Sequence, residues 1–315
     1  MRILLTGSTG WLGRYLAPML REAGHQVIGL DVAPGLDTQI VGSVANRALV
    51  EHVMFSHGIE GVIHAAALHK PDIVRYPRQA FVDVNVTGTL NLIEAAVAAG
   101  ADRFVFTSTT SLMITQAIRD ETAEEAVWLD EESGPLKPRN IYGVTKRAAE
   151  EMCRLLHAET GLPMVVLRTS RFFPEDDDTH HDLSGENMKA NEFLNRRLTV
   201  EDCARAHIAA LDRAPAIGFA TYIASAPTPF SRDDVVELKR DARAVIVRLF
   251  PDAPELFAAR GWSLPASIGR VYDASAIERG LGFRCATDFS AILSALRAGD
   301  ELPFEHDAAY VSPKE

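Results

Sequence analysis

Three evenly spaced glycines near the start of the chain constrain its fold more than any other feature. Gly7, Gly10 and Gly13 follow an apolar run over residues 2–6 and open a segment of helical periodicity over 11–23. Glycine at these positions permits a tight turn, a close approach of backbone to a ligand, and close packing of helix on strand. The amides and dipole at a helix N-terminus attract negative charge. The G-x-x-G-x-x-G pattern therefore predicts an α/β fold with a dinucleotide site.

The first 170 residues alternate short apolar runs with segments whose apolar residues recur at helical spacing. Strands are predicted at 2–6, 26–30, 61–64, 103–107 and 163–168, and helices at 11–23, 46–56, 77–99 and 142–160. Strands that are apolar throughout and separated by crossover helices form a parallel sheet that is covered on both faces. We therefore predict a Rossmann-type, doubly wound α/β domain over residues 1–170, to which residues 198–225 return.

The rest of the chain has a weaker pattern. Residues 172–195 are polar and predict a loop, whereas residues 200–210 predict a helix that begins with acidic residues. We expect 171–197 and 226–315 to form a small C-terminal substrate-binding lobe. Its last residues, 300–315, are acidic and are expected to be a poorly packed tail.

The composition narrows the class of partner. The chain has 32 Lys and Arg against 43 Asp and Glu, and its net charge of −11 disfavours nucleic acid and anionic membranes, which bind positive surfaces. It has no run of 18 apolar residues, its first strand begins too early to leave room for a signal peptide, and its three cysteines are widely spaced. We expect a cytoplasmic protein without disulfides.

An acidic run over residues 175–178 is followed by His180, His181 and Asp182. This composition superficially suggests a metal site. Adjacent histidines, however, point in different directions, and the spacing matches no metal-binding motif. The pattern favours a solvated loop beside the substrate, and we expect no metal.

Asp31 ends the second predicted strand, 18 residues after Gly13. A carboxylate at about this offset accepts a hydrogen bond from the adenosine ribose and would repel a 2′-phosphate. No Arg or Lys occupies residues 32–37. The expected cofactor is therefore NAD rather than NADP. The alternative is that Asp31 is a solvated turn residue.

Tyr142 and Lys146 are four residues apart in a predicted helix and therefore share one of its faces. A phenol with a pKa near 10 is a poor base at neutral pH, but a nearby ammonium and an oxidised nicotinamide both favour the phenolate. Lowering the phenol pKa to ~7 requires about 4 kcal/mol. We then expect Tyr142 to take the proton of a substrate hydroxyl while a hydride leaves for NAD.

Five hydroxyl residues, Thr107 to Ser111, follow a predicted buried strand at its carboxyl end. Ligands bind at this end of the strands in open α/β sheets. One of these hydroxyls is expected to orient the substrate oxygen, and at least two are expected only to cap the strand.

Several segments together resemble the extended short-chain dehydrogenases/reductases, in particular their NAD-dependent epimerase/dehydratase group. They are the glycine turn, 62–67, 85–89, 104–111, 142–146 and 167–168, with weaker matches at 200–202 and 273–283. The resemblance covers nearly the whole chain and implies a Rossmann fold with NAD as cofactor. It also implies that Thr109, Tyr142 and Lys146 form the catalytic group, with Ser108 and Ser111 as competitors of Thr109.

The same resemblance implies which residues line the cofactor groove, where small alanines let the cofactor pass close over the strand end. These residues are Gly7, Gly10, Trp11, Leu12, Gly13, Asp31, Val32, Ser43, Val44, Ala65, Ala66, Ala67, Asn85, Thr107, Tyr142, Lys146 and Ser170. The candidate substrate-binding residues are His69, Ser111 and Arg171. For His69 the alternative is a solvent-facing position.

The chain departs from the family pattern at four places. Ser43 stands where an Asp usually contacts adenine, Met113-Ile114 replaces Tyr-Gly, Thr110-Ser111 replaces the Asp-Glu pair of dehydratases, and 170–174 replaces a stretch with a substrate-binding Asn. Dehydration is disfavoured without that acid pair. Arg171 is expected either to bind a carboxylate or phosphate, or to pair with the neighbouring acidic run.

These features predict an NAD-dependent oxidoreductase or epimerase that acts on a secondary alcohol of a sugar, sugar acid or nucleotide sugar. The alternative is a regulatory or scaffold protein that binds NAD without turnover. By resemblance we also expect a homodimer, in which the helices over 89–99 and 146–160 pair across a two-fold axis.

Overall fold

Seven parallel strands form one sheet in the computed structural model, which describes residues 1–176 and 183–312. The strands of the chain are β1 (Arg2–Thr6), β2 (Gln26–Asp31), β3 (Ile40–Val41), β4 (Gly61–His64), β5 (Arg103–Thr109), β6 (Val127–Leu129), β7 (Met164–Thr169), β8 (Phe219–Ala224) and β9 (Arg270–Tyr272). The large sheet has the order β3-β2-β1-β4-β5-β7-β8, and β6 pairs separately with β9. The order reverses between β1 and β4, which confirms the predicted doubly wound fold.

Helices cover both faces of this sheet. They are α1 (Trp11–Glu22), α2 (Arg47–Ser56), α3 (Arg78–Phe81), α4 (Gly88–Ala99), α5 (Gln116–Arg119), α6 (Ile141–Thr160), α7 (Gly185–Glu192), α8 (Val200–Ile217), α9 (Val235–Leu249), α10 (Ala253–Ala259), α11 (Ser275–Leu281) and α12 (Phe289–Ala298). The buried apolar residues of α1, α8 and α11 form one layer, and those of α2, α4 and α6 form the other. No helix in the described part of the chain is long and apolar enough to cross a bilayer.

A second, smaller apolar cluster lies beside the sheet. It is built from α7, α9, α10 and α12 together with residues of β6 and β9. Two separate segments of the chain contribute to this cluster. α7 precedes and α9 follows a segment, α8 and β8, that belongs to the main sheet and its covering helices. The cavity described below opens between this cluster and the carboxyl edge of the sheet.

Two expectations for the weakly patterned part of the chain are wrong. The predicted loop over 172–195 contains α7, which is capped by the Ser184 side chain and buries Lys189 and Glu192. Those buried charges made the segment look like a solvated loop. The described part of the tail, residues 300–312, also makes a specific contact, because Phe304 stacks on Phe193 with ring centroids 5.6 Å apart, although none of these tail residues is fully buried.

Candidate active site

The glycine turn joins β1 to α1 and touches the segment that follows β4. Gly7 has a φ of +77°, and a Cβ at this position would stand 2.8 Å from the Ala66 nitrogen. A Cβ on Gly13 would stand 2.2 Å from the Gly7 carbonyl oxygen, so the helix approaches the turn as closely as only glycine allows. The Gly10 N–H donates to the same carbonyl at 3.1 Å. The turn therefore has the close-packed shape of a phosphate-binding helix N-terminus.

Asp31 lies at the carboxyl end of β2 and is only 8% exposed, so it is not a solvated turn residue. Its carboxylate accepts hydrogen bonds from the N–H groups of Thr9 at 2.9 Å and Ala33 at 3.2 Å. These bonds hold Asp31 beside a cavity of ≈ 190 Å³. The predicted cofactor residues that line this cavity are Gly7, Gly10, Asp31, Val32, Ser43, Val44, Ala65, Ala66 and Ala67.

The side chains of three other predicted cofactor residues pack against or bind to other parts of the protein. Leu12 is buried in the apolar layer between α1 and the sheet. The Trp11 ring packs edge-on against Tyr310, with centroids 4.9 Å apart. Asn85 accepts from the Leu68 N–H at 2.9 Å and donates to the Leu68 carbonyl at 3.0 Å. These side chains support the cavity wall rather than line it.

A larger cavity, of ≈ 360 Å³, lies next to the first. Ala65, Ala67 and His69 line both cavities, so the two meet at the carboxyl edge of the sheet. The predicted site residues found in the larger cavity are Ala65, Ala67, His69, Thr107, Thr109, Ser111, Tyr142, Lys146, Ser170 and Arg171. The structure thus brings the expected catalytic group and the expected substrate residues into one space.

Tyr142 stands in the first turn of α6. The helix begins here because the Asn140 side chain accepts a hydrogen bond from the Gly143 N–H at 2.9 Å. The hydroxyls of Tyr142 and Thr109 belong to the lining of the same cavity. Burial raises the pKa of Tyr142 to about 12, the nearby Thr109 hydroxyl lowers it, and the charge of Asp72 raises it further. In the ligand-free protein Tyr142 is therefore a protonated phenol, in the correct state to donate a proton.

Lys146 lies one turn further along α6 and is 2% exposed. Its Nζ lies 4.2 Å from the centroid of the Phe106 ring. Burial lowers the pKa of Lys146 to about 7, although the charges of Cys153 and Glu150 raise it. Lys146 is not among the groups that shift the pKa of Tyr142 in the ligand-free protein, and its expected effect together with an oxidised nicotinamide stays a prediction. Burial dominates both pKa values, because it disfavours the charged form of each group.

The hydroxyl cluster at the end of β5 divides into two groups. Ser108 donates to Glu150 Oε1 at 2.6 Å, and Thr107 is hydrogen-bonded to His207 Nε2 at 2.8 Å. Both partners are buried, so these two hydroxyls stabilise the sheet edge. Thr109 is the hydroxyl that meets Tyr142, which supports its choice over Ser108 as the residue that orients the substrate oxygen.

His69 and Ser111 both lie close to the Tyr142–Thr109 pair. The His69 and Tyr142 rings have centroids 5.7 Å apart. The Ser111 N–H donates to Thr109 Oγ1 at 3.1 Å, which fixes the direction of the Thr109 hydroxyl. His69 is therefore not simply solvent-facing, and Ser111 acts on Thr109 through its backbone.

Arg171 lies at the start of the partly described acidic segment. Its Nη2 lies 3.5 Å from the Glu175 carbonyl oxygen, and burial raises the pKa of the Glu175 carboxyl. The residues Asp177, Asp178, His180, His181 and Asp182 lie outside the described residues. Within 1–176 and 183–312, no group of three His, Cys, Asp or Glu side chains is arranged to hold a metal ion.

Sequence reasoning missed a set of polar residues on the far side of the larger cavity. They are Arg119, Arg139, Arg196, Arg270 and Tyr272. They come from α5, the segment before α6, the segment after α7, and β9. No local motif marks them, because only the tertiary fold brings these four elements together.

The residues present fit NAD. Gly7, Gly10 and Asp31 line one cavity beside the N-terminus of α1, which is where this fold binds the phosphates and ribose of a dinucleotide. The buried Ser170 hydroxyl lines the larger cavity and has no hydrogen-bond partner among the described residues. A bound ligand would supply that partner, since buried polar groups are nearly always paired.

Known proteins that are similar to this chain include an epimerase and a dehydrogenase. A UDP-glucose 4-epimerase of Azospirillum brasilense is 30% identical over 176 residues, which are 53% of this chain and 48% of that protein. An L-arabinose 1-dehydrogenase (NAD(P)(+)) of Haloferax volcanii is 32% identical over 182 residues, 56% of this chain and 69% of that protein. The chain thus spans about half the length of the first of these relatives.

Among solved structures, a short-chain dehydrogenase/reductase superfamily protein from Agrobacterium tumefaciens, with bound NAD, superposes with a TM-score of 0.65. It covers 95% of this chain and 98% of its own, at 23% identity, so it shows the shared fold. The profile of the NAD dependent epimerase/dehydratase family matches residues 3–218. The resemblance seen in the sequence is thereby confirmed, and with it the assignment of NAD as cofactor. The chain belongs to the NAD dependent epimerase/dehydratase family.

Proposed function

We propose that this protein oxidises a secondary alcohol of a sugar, sugar acid or nucleotide sugar, with Tyr142 as general base and Thr109 orienting the substrate oxygen. The observation that carries the proposal is that Tyr142 and Thr109 line one cavity, which adjoins the dinucleotide cavity, and that the Thr109 hydroxyl lies close enough to Tyr142 to lower its pKa. Lys146 is buried on the same helix face, one turn from Tyr142.

The proton leaves the substrate hydroxyl for the Tyr142 oxygen, and the C–O bond becomes a carbonyl. Bound NAD supplies the acceptor for the hydride that leaves the same carbon. Because the pKa of Tyr142 is about 12 without ligand, the base role requires nearby positive charge. Lys146 supplies that charge when protonated. In the reverse direction, the protonated phenol is already suited to donate its proton to a carbonyl oxygen.

Two observations support a sugar-like substrate. The two curated relatives reported above have names that describe enzymes of sugars, one an epimerase and the other a dehydrogenase, whereas a third relative, 29% identical over 60% of this chain, is named a 3-beta-hydroxysteroid dehydrogenase. Thr110 and Ser111 occupy the positions where the dehydratases of the family carry an acid pair, which disfavours elimination of water. Hydride transfer therefore fits these residues better than dehydration.

We also propose a homodimer through the outer surface of α4 and α6. Three large apolar side chains are exposed on this surface. They are Val97 on α4, which is 37% exposed, and Val144 and Leu155 on α6, which are 48% and 50% exposed. Ile93, by contrast, is buried against the chain's own sheet. Light scattering at micromolar concentration should give twice the mass of the chain, and a monomer would exclude this interface.

A substrate panel tests the proposed activity. Purified protein with NAD is offered neutral sugars, uronic acids, sugar phosphates and UDP-sugars, and both NADH absorbance and product stereochemistry are recorded. A dehydrogenase accumulates NADH, whereas an epimerase inverts one carbon without net NADH. NAD binding by calorimetry without turnover of any compound would favour the regulatory alternative and contradict the proposal.

A further inference from the structure

The larger cavity carries a charge opposite to that of the chain as a whole. Among the described residues, seven Lys and Arg but only three Asp and Glu line it. The whole chain has 32 Lys and Arg against 43 Asp and Glu. Four arginines that face this cavity, Arg119, Arg139, Arg196 and Arg270, are called the arginine cluster below. A positive cavity in an acidic protein attracts negative ligands specifically into the site.

Arg270 shows most clearly that the arginine cluster lacks a counter-charge. It is 9% exposed at the first position of β9, and Glu192, the carboxylate that acts on its pKa, forms its ion pairs with Arg196 and Arg197 instead. Its Nε is buried without a partner among the described residues. A buried arginine is normally paired, because an uncompensated buried charge is strongly unfavourable.

The other members repel one another and Arg270. The pKa of Arg139 is lowered by burial and by the charges of Arg119 and Arg270. Burial and the charge of Arg196 likewise lower the pKa of Arg270, against the opposing effect of Tyr272. Four like charges thus face one space, and the carboxylates that oppose them are Asp120, which acts on Arg139, and Glu192, which acts on Arg196 and Arg270.

Glu192, which forms an ion pair with a member of the arginine cluster, is shared with an arginine outside it. Glu192 lies 3.2 Å from Arg196 but pairs more closely, at 2.8 Å, with Arg197, which lies outside the cluster. Arg197 also donates to the Phe173 carbonyl. The Nε atoms of Arg197 and Arg270 are both buried without a partner among the described residues, so the two arginines differ in the close carboxylate that Arg197 has and Arg270 lacks.

We propose that the arginine cluster binds an anionic group of the substrate, a carboxylate or a phosphate, while the hydroxyl to be oxidised lies at Tyr142 in the same cavity. The planar guanidinium forks suit either anion, because both offer paired oxygens for bidentate hydrogen bonds. This inference rests on the proposed function for the identity of the reacting hydroxyl, but the anion site itself does not depend on turnover.

The test compares matched ligands and matched arginines. Glucose, glucuronate, glucose 6-phosphate and UDP-glucose are titrated calorimetrically into the NADH-saturated protein, and NADH formation is followed in parallel with NAD. Arg270→Gln removes the buried member of the cluster. Arg139→Gln removes an exposed member and keeps the test valid if the first variant fails to fold. Arg243→Gln, at an exposed position on α9, is the control.

We expect at least one anionic sugar to bind about 10- to 100-fold more tightly than glucose, an advantage that each cluster variant reduces and the control keeps. Tighter binding of glucuronate points to a carboxylate ligand, and tighter binding of a phosphate ester to a phosphate. Equal binding of glucose and all three anions would overturn the anion site, even if turnover occurs. Anion binding that is lost in the variants, without turnover of any sugar, would keep the anion site and overturn the proposed function.

Discussion

The cofactor half and the substrate side of this molecule present different kinds of group to a ligand. Parallel strands between two apolar layers hold the glycine turn, and the critical spaces in that turn are bounded by backbone atoms. The substrate side instead presents charged side chains to the larger cavity, the arginine cluster among them. Buried ion pairs occur in both halves, Arg168–Glu150 between β7 and α6 and Arg197–Glu192 on the substrate side.

The backbone cradle explains how the site binds a cofactor that many proteins share, and the charged side chains explain how it selects a particular substrate. A backbone cradle is compatible with any dinucleotide phosphate and needs only glycines in the correct order. Side-chain charges recognise particular groups of the substrate and vary without loss of the fold. We therefore expect changes on the cofactor half to affect NAD binding or chemistry, and changes in the arginine cluster to affect substrate selection.

The largest effect is expected from Tyr142→Phe, which removes the proton acceptor but keeps the ring. The kcat for the best substrate of the panel should fall by about 10²- to 10⁴-fold, the usual contribution of general acid–base catalysis. The NAD affinity should stay within a few-fold of wild type. Tyr222→Phe, on β8 and outside both cavities, is the matched control and should keep full activity. A Tyr142→Phe enzyme of near-normal kcat would break the assigned mechanism.

Lys146→Met should lower activity and yet raise stability in acid. A lysine of the unfolded chain has a pKa near 10.4, whereas burial lowers the pKa of Lys146 to about 7. Between these values the unfolded chain binds more protons, so stability from this group rises with pH and is lowest below pH 7. The variant should exceed wild type by about 2–4 kcal/mol at pH 6, with the difference closing towards pH 10.

Urea unfolding of both proteins at several pH values between 6 and 10 measures this difference. A gap that does not change with pH would mean that Lys146 is not buried as a charged group in the folded protein. Such a result would mean that the pKa of Lys146 in the folded protein is the same as that of a solvated surface lysine.

Gly13→Ala tests whether backbone spacing alone defines the cofactor cradle. The added methyl would meet the Gly7 oxygen at 2.2 Å, so the turn must shift. We expect a loss of about 1–3 kcal/mol of stability and a roughly tenfold or greater loss of NAD affinity. Gly24→Ala has a strained φ of +83° but no atom within 4 Å, and should leave NAD binding unchanged. Equal NAD affinities in the two variants would contradict the cradle.

The smallest effect is expected from Tyr310→Ala in the tail. The tail contacts the substrate side through Phe304 and the cofactor half through Tyr310. The Tyr310 ring packs on Trp11, and Ser312 reaches the dinucleotide cavity. Loss of one aromatic contact should lower stability by about 0.5–1.5 kcal/mol and weaken NAD binding slightly. Val311→Ala, whose side chain is 62% exposed, is the control. Identical melting of the two variants would show that the tail is not part of the folded unit.

The same contrast explains how much could be predicted from sequence. The glycine turn, Asp31 and the Tyr142–Lys146 spacing are local patterns, and the structure places all of them at the carboxyl edge of the predicted sheet. The arginine cluster could not be predicted, because its members lie on four elements that only the fold brings together. The packed tail was missed for the same reason, since its partner Trp11 belongs to the first helix.

The protonation states were also beyond local reasoning. Four-residue spacing correctly places Lys146 on the face of Tyr142, but the sequence does not reveal how deeply both are buried. Burial reverses the expected order of effects, because it raises the pKa of Tyr142 and lowers that of Lys146. The motif therefore predicts that Tyr142 and Lys146 lie close together, whereas the depth of their burial determines their protonation states in the absence of ligand.

Isotope transfer tests the central claim of hydride transfer at this site most directly. The best substrate of the panel, deuterated at the carbon that carries the reacting hydroxyl, is incubated with the enzyme and NAD, and the products are analysed by mass spectrometry. The account predicts that deuterium is found on the nicotinamide of released NADH or is retained at the inverted carbon of the product. Loss of the deuterium to solvent water, as expected if the carbon gave up a proton instead of a hydride, would contradict it.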